Sequence, residues 1–210
     1  MHFLITAGGT REYIDPVRFI SNASSGKMGY ALALAAIKAS HKATLISASD
    51  LQPPVGVDFV GVDSAAEMFA AVKRSFTKCD CLIMAAAVAD YTPAKKTKTK
   101  IKKSNNNLII KLKPTADILK WAGKHKRKNQ IVVGFALEDK NLRRNAEKKL
   151  KEKNLDMIIA NTAAAVGSDK VSVQVKTLDR KWLKLPHATK AKITKRIIDL
   201  LIRLRRGYCG

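Results

Sequence analysis

Between Ala7 and Gly29 the sequence concentrates groups that hold anions. Gly8, Gly9 and Thr10 follow a short apolar run, residues 2–6, that reads as a buried strand. Glycines there let the chain turn sharply and let a ligand approach the main chain. Asn22 and the run Ser24-Ser25-Gly26-Lys27-Met28-Gly29 come just before a helical pattern in which Met28, Ala31, Leu32, Ala35, Ala36 and Ala39 repeat. Gly26 and Gly29 therefore stand at a helix start, where free N–H groups and the positive helix end suit a phosphate. Arg18, Asn22, Ser24 and Lys27 crowd the same stretch. A plain connection with small packing residues would not need so much polarity beside backbone-exposing glycines. The spacing is not the dinucleotide fingerprint, because a polar insertion, residues 11–22, separates the glycines, and the G-x-x-x-x-G-K-[ST] phosphate loop is absent.

The elements that must position these groups alternate. Short apolar strands are predicted at residues 43–47 and 57–62. Ser64 and Glu67 form a capping box opening a helix whose apolar face is Ala65, Met68, Phe69, Val72 and Phe76. Residues 81–87 make a fourth strand, apolar throughout as a central parallel strand should be. Such alternation implies right-handed crossovers and a parallel sheet. The fourth strand should lie beside the first, across the point where strand order reverses, so that residues 85–90 face the glycine loop.

A Lys-dense polar segment, residues 92–107, then breaks the pattern, and residues 108–112 alternate partly like a strand. Thr115 or Asp117 begins a helix through Ile118, Leu119 and Trp121. A buried strand follows at residues 131–137, a charged helix at 141–154 and a strand at 157–161. Residues 171–175 and 181–185 read as a hairpin around Asp179 and Arg180. A terminal helix presents Ile193, Ile197, Leu200, Leu201 and Leu204 on one face. The expected fold is α/β: a Rossmann-like, doubly wound, mainly parallel sheet with a protruding segment after the fourth strand and a C-terminal hairpin plus helix. Residues 1–204 read as a single domain, with a frayed tail from Arg205.

The composition narrows the function classes. Forty Lys and Arg stand against 17 Asp and Glu, a formal charge of +23. Polyanionic small molecules or nucleic acid are the partners such a charge suggests. Aromatic residues make up only 6%, little stacking material for single strands, so nucleic acid ranks as the lesser reading. No apolar run reaches membrane-span length and no signal-peptide layout is visible, which points to a soluble, cytoplasmic protein without a membrane role. Cys79, Cys81 and Cys209 do not make a disulfide framework, C-x-C is a poor zinc signal, and the histidines are scattered.

Several motifs together resemble phosphopantothenate–cysteine ligase in its bacterial form. They are I-T-A-G-G-T-R-E at residues 5–12, D-P-V-R-F-I-S-N at 15–22, S-S-G-K-M-G at 24–29 and A-A-A-V-A-D-Y at 85–91. K-I-K-K at 100–103, V-G-F-A-L-E at 133–138 and K-x-x-x-K-N-L-D at 149–156 continue in the family's order. The resemblance implies a ligase of coenzyme A biosynthesis that joins 4′-phosphopantothenate to cysteine, using CTP and a divalent metal, Mg²⁺ or Mn²⁺. An acyl-cytidylate forms with release of pyrophosphate, and cysteine's amine then releases CMP. Many bacterial members are fused behind a flavin-dependent decarboxylase. Nothing precedes Met1 here, so a free-standing ligase is expected, with no flavin role and with a separate decarboxylase as a possible partner.

Residue by residue, the resemblance makes Gly9, Ser24, Gly26 and Gly29 phosphate holders and Asn22 the catalytic asparagine that stabilises the acyl intermediate, with Arg18 close by. Met84, Ala85, Ala86, Ala87 and Asp90 would serve the nucleotide and, across a homodimer interface, the pantothenate arm. Lys100 would ride on a flexible lid, residues 92–112, that also dimerises. Ala116, Asp117, Ile118 and Leu119 match a nucleotide-contacting turn, Phe135 would pack on the nucleotide, and Lys149 and Lys153 would reach the triphosphate. The resemblance identifies no metal ligands. Tyr13 stands where the family often has Pro, and Thr115-Ala116-Asp117 where it has N-P-D, which leaves CTP against ATP open. A short-chain dehydrogenase is a rival through the Y-x-x-x-K spacing of Tyr91 and Lys95, although Pro93 argues against the helix that spacing needs. A nucleic-acid-binding protein is the other rival, on charge.

Overall fold

A computed structural model of the chain describes residues 1–138, 140–161, 170–178 and 180–207. At its centre is β1 (His2–Gly8), buried from Phe3 onward. It pairs in parallel with β4 (Lys42–Ala48) on one side and β6 (Cys81–Met84) on the other. Beyond β4 lies β5 (Asp58–Gly61). Beyond β6 come β9 (Ile131–Leu137) and β10 (Met157–Asn161), all parallel. An antiparallel hairpin of β11 (Lys170–Thr177) and β12 (Leu183–Thr189) completes an eight-stranded sheet ordered β12-β11-β10-β9-β6-β1-β4-β5.

The two-residue side-chain period of strands sends alternate residues to opposite faces. Phe3 and Ile5 of β1 pack with α1 (Lys27–Lys38) and α5 (Lys190–Gly207) on one face. Leu4 and Ile46 pack under α2 (Ala65–Phe76), α3 (Ile118–His125) and α4 (Leu142–Glu152) on the other. The sheet is therefore doubly wound and mainly parallel, as the alternating pattern predicted. The capping box forms too: the Glu67 N–H donates to Ser64 Oγ at 3.2 Å, and the Asp63 N–H donates to Glu67 Oε2 at 2.9 Å. Cys79 and Cys81 are buried free thiols, and burial pushes the Cys79 thiol up to about 11.

Several boundaries differ from the sequence expectation. The fourth predicted strand stops at Met84 rather than Ala87. The Thr6 hydroxyl accepts the Ala86 N–H at 3.2 Å and the Thr10 hydroxyl accepts the Ala89 N–H at 2.9 Å, which draws the chain out of the sheet ladder. The insertion expected as loop contains a hairpin, β2 (Arg11–Tyr13) with β3 (Phe19–Ser21). The strand expected at residues 108–112 is displaced: β8 (Leu112–Pro114) pairs with β7 (Tyr91–Pro93), while Leu108 and Ile109 are exposed and have nothing to alternate against. The second strand of the C-terminal hairpin begins at Leu183, two residues later than expected, with an irregularity opposite Val171 to Val173. Asp179, expected in its turn, and Cys209 lie outside the described residues. The last helix continues to Gly207 instead of fraying at Arg205, whose guanidinium reaches Asp80 Oδ1 at 3.3 Å.

Candidate active site

Strand order reverses between β1 and β6, and in open α/β sheets ligands bind at that crevice beyond the carboxyl ends. A cleft of about 750 Å³ opens there. Its first wall is the strap of residues 22–25 and the start of α1. Gly26 caps the helix with φ 77°, a left-handed conformation that leaves the first N–H groups of α1 pointing into the cleft without a side-chain cap. Gly29 allows the close packing behind them, since a Cβ there would stand 2.5 Å from Ala7 Cβ.

The second wall is the chain leaving β6. Asn22 Nδ2 donates to the carbonyls of Ala87 at 3.3 Å and Val88 at 3.2 Å, joining the strap to this segment. Ala87 in turn bridges in parallel to Gly9, whose missing side chain makes room for the strap: a Cβ there would lie 2.5 Å from Asn22 O.

The third wall comes from α3, β9 and α4. Asp117 accepts the Lys120 N–H at 2.9 Å, capping α3, and pairs with Lys153 Nζ at 2.7 Å. Burial raises the Asp117 carboxyl, and the Lys153 and Lys120 bonds more than reverse it, so its pKa lies below the ordinary value. Lys149 Nζ donates to Phe135 O at 2.7 Å. Burial, then the neighbouring Lys153 charge, lower the pKa of Lys149. Two lysines one turn apart thus converge on a partly dry cleft, held there by one carbonyl and one carboxylate.

Of the residues singled out in sequence, Asn22, Ser24, Gly26, Met84, Ala85, Ala86, Ala87 and Asp90 line this cleft, as do Ala116, Asp117, Ile118, Leu119, Phe135, Lys149 and Lys153. Gly9 and Gly29 do not: Gly9 lies behind the strap, and Gly29 faces β1 from the first turn of α1. Arg18 and Lys100 are also absent from its lining. They stand together elsewhere, where the arm of residues 91–114 meets the β2–β3 hairpin. Buried Asp15 accepts the N–H groups of Val17 at 2.9 Å, Arg18 at 2.8 Å and Ile101 at 3.1 Å, and Arg18 Nε at 2.9 Å. Arg18 also donates to Ile101 O. Burial pushes the Asp15 carboxyl up, but these donors outweigh it and bring it to about 2. Lys100, next to Ile101, is exposed.

Sequence reading missed Lys190 at the start of α5 and Asn161 at the end of β10, both of which line the cleft; Thr115, named in sequence only as a helix start and as part of the turn before Asp117, lines it too, and its hydroxyl donates to Ala89 O at 2.6 Å. It also missed Glu12, a buried carboxylate that accepts the first N–H of α2, from Ala65, at 2.8 Å. Periodicity carries no signal for such residues, because each meets its partners through chain distant in sequence. A second cavity, about 580 Å³, lies beyond the strap and is lined by Gly9, Arg11, Phe19, Ser49 and Asp50, with Asn22, Ser24 and Ser25 shared between the two. Tyr91 lies in β7 and Lys95 in the exposed stretch beyond it, so they do not share a helix face as a dehydrogenase pair would. Among the described residues no group of three or more His, Cys, Asp or Glu could hold a metal ion, and no helix is long and apolar enough to cross a membrane.

The geometry has close relatives. Residues 1–204 match the family model of the DNA/pantothenate metabolism flavoprotein C-terminal domain. The coenzyme A biosynthesis bifunctional protein CoaBC of Bacillus subtilis is 43% identical over 211 aligned positions, covering 98% of this chain and 52% of the relative. The CoaBC of Haemophilus influenzae is 48% identical over 158 positions, covering 75% of this chain and 40% of the relative. The chain thus spans about half the length of the curated relatives it matches. A crystal structure of the C-terminal domain of CoaBC superposes with TM-score 0.83 at 40% identity, covering 95% of this chain and 93% of that one. A Cab2 mutant in complex with phosphopantothenate-cysteine shares the fold, with TM-score 0.83 at 18% identity, covering 99% of this chain and 87% of that one. The family resemblance carried by the sequence motifs holds: this chain belongs to the DNA/pantothenate metabolism flavoprotein C-terminal domain family, alongside the C-terminal domain of CoaBC.

Proposed function

We propose that the cleft joins 4′-phosphopantothenate to cysteine in coenzyme A biosynthesis, activating the carboxylate with CTP. The observation that carries this reading is Asn22. Its side-chain amide sits where the open N-terminus of α1 meets the chain leaving β6, so one amide borders both a phosphate cradle and the space facing it. A phosphate on the α1 N–H groups and Ser24 would have its neighbours neutralised by Lys149 and Lys153.

In the first step a carboxylate oxygen of phosphopantothenate attacks the α-phosphorus, and the bond to the β-phosphate breaks with pyrophosphate leaving. In the second, the cysteine amine attacks the acyl carbon, the acyl–oxygen bond breaks, CMP leaves with the electron pair, and the amine proton passes to solvent. Asn22 Nδ2 would turn from its backbone carbonyl partners to the oxyanion formed in that second step, the type of donor that matters most in acyl transfer. Burial and the Lys153 charge lower the pKa of Lys149 in the free protein, and a bound triphosphate would raise it again.

A divalent ion bound with the nucleotide would neutralise phosphate charge. Asp117 is committed to Lys153 and to the cap of α3, so phosphate oxygens would hold most of the ion, with Asp90 at the exposed rim placed to share it. The nucleotide base falls to the Thr115–Asp117 turn, which Thr115 binds to the segment leaving β6. CTP is the expected choice.

The arm supports a homodimer. Val17, Phe19, Tyr91, Leu108, Ile109 and Leu112 are exposed on the β2–β3 hairpin and the arm, an apolar set that a second copy would cover. Arg18 and Lys100 lie on this side rather than in their own chain's cleft, so a second copy docked against the hairpin and arm would receive them at its own site. A monomeric mass by light scattering, with activity intact, would refute the dimer.

The ligase reading is tested by pyrophosphate release with 4′-phosphopantothenate, cysteine and Mg²⁺, CTP and ATP being compared side by side. Release with CTP that needs every substrate is expected. Release with ATP alone keeps the ligase and overturns the nucleotide choice, and no release with either overturns the ligase.

A further inference from the structure

The second cavity is built around a guanidinium that is held from two sides. Arg11 projects from β2, its Cζ 5.5 Å from the centroid of the Phe19 ring on β3, and its Nη2 lies 2.5 Å from Asp50 Oδ2. The Arg11 side chain is only 26% exposed, whereas that of Asp50 is 85% exposed. A cation fixed by stacking and burial therefore meets a carboxylate that stands largely in solvent. An exposed carboxylate contributes little to such a pair. An incoming carboxylate of matching geometry exchanges with it at small cost, and Arg suits that exchange because its planar fork binds carboxylates through paired donors.

Asn22 lines both cavities. On the ligation reading, which this inference extends, the acyl carbon sits at Asn22 with the nucleotide filling the larger cleft. The attacking amine must come from a side the nucleotide does not occupy, and the Arg11 cavity adjoins the strap on that side. We infer that this cavity is the amino-acid subsite, with Arg11 binding the substrate's α-carboxylate while its amine faces the Asn22–Ser24 strap. Asp50 occupies the carboxylate's place in the free protein. Arg11 is then the residue that selects an α-amino acid over a simple amine.

The test compares cysteine with cysteamine, which has the same amine and thiol but no carboxylate. Arg11→Met should lower kcat/KM for cysteine about 10²-fold, mainly through KM, and leave cysteamine unchanged; Arg11→Lys should restore part of the loss. Asp50→Asn should leave the cysteine KM unchanged or lower it. If Arg11→Met slows both nucleophiles alike, slows neither, or if Asp50→Asn fails in the same way as Arg11→Met, the pair is a structural brace and the inference is overturned. Saturation-transfer NMR separates this from failure of the ligation reading, because it needs no turnover. Binding of cysteine but not cysteamine by the wild type, lost in Arg11→Met, upholds the subsite even in a protein that ligates nothing. A wild type that ligates but shows no Arg11-dependent cysteine signal contradicts it, as does a non-ligating wild type that binds no cysteine.

Discussion

At the floor of the cleft each segment is held by more than one neighbour. Thr6, Thr10, Asn22 and Thr115 all bond the segment leaving β6, and Gly29 lets α1 press on β1. The arm of residues 91–114 is built differently. It is largely exposed, and its bonds to the body converge on one short turn, through Asp15, Arg18 and Ile14. The floor has the rigidity needed to hold donors where charge develops during reaction. The arm has the sparse burial of a segment that opens at low cost, as closing elements must. One part of the molecule is suited to chemistry and the other to closure or to a partner.

Breaking the floor should cost most. Asn22→Asp replaces an amide donor with a negative charge, and amide formation should fall about 10²–10³-fold while the first-turnover burst of pyrophosphate survives; quenched-flow detection of both products checks it. Full-speed amide formation would contradict the role given to Asn22. Lys149→Met should lower kcat/KM for the nucleotide about 10–100-fold. Its melting temperature should hold or rise, because a half-buried cation with a lowered pKa is removed. Gly29→Ala should destabilise the fold by about 1–3 kcal/mol, lowering the melting temperature by several degrees, as the added methyl meets Ala7.

Changes in the arm should be milder and should separate activity from stability. Lys100→Gln should slow turnover roughly 10-fold with stability unchanged within about 0.5 kcal/mol. An unchanged rate would remove Lys100 from the reaction. The smallest effect concerns Asp15. Its folded pKa, about 2, lies below the ordinary 3.8. Its contribution is therefore complete above about pH 4 and is lost as pH falls through 2. Hydrogen exchange at Ile101 should quicken over that interval in the wild type, and Asp15→Asn should show the faster exchange already at neutral pH. Equal exchange in the two proteins would mean the arm is tethered elsewhere.

The same contrast explains what could be read from sequence. Floor elements were legible because each couples a periodic apolar pattern to local signals: β1 ending in glycines, Gly26 opening α1, Ser64 with Glu67 opening α2. Their parallel neighbours followed from alternation alone. The hairpin of Arg11–Tyr13 and Phe19–Ser21 was not legible, since strands of three residues give periodicity nothing to act on and Asp15, not an apolar face, organises the turn. Leu112–Pro114 was misplaced for a related reason: Leu108 and Ile109 look like strand residues but have no covering layer in this chain. Lys190, Asn161 and Glu12 join the site region only through tertiary folding, and no local pattern marks them.

The central claim is that this cleft makes an activated acyl group and passes it to cysteine. Mixing the protein with 4′-phosphopantothenate, CTP and Mg²⁺ without cysteine, then quenching for mass spectrometry, observes that group directly. The account expects an acyl-cytidylate bound at up to one per site, matched by pyrophosphate and discharged to 4′-phosphopantothenoylcysteine when cysteine is added. Folded protein that forms no acyl-nucleotide with CTP or ATP, or that forms one cysteine cannot discharge, would contradict it.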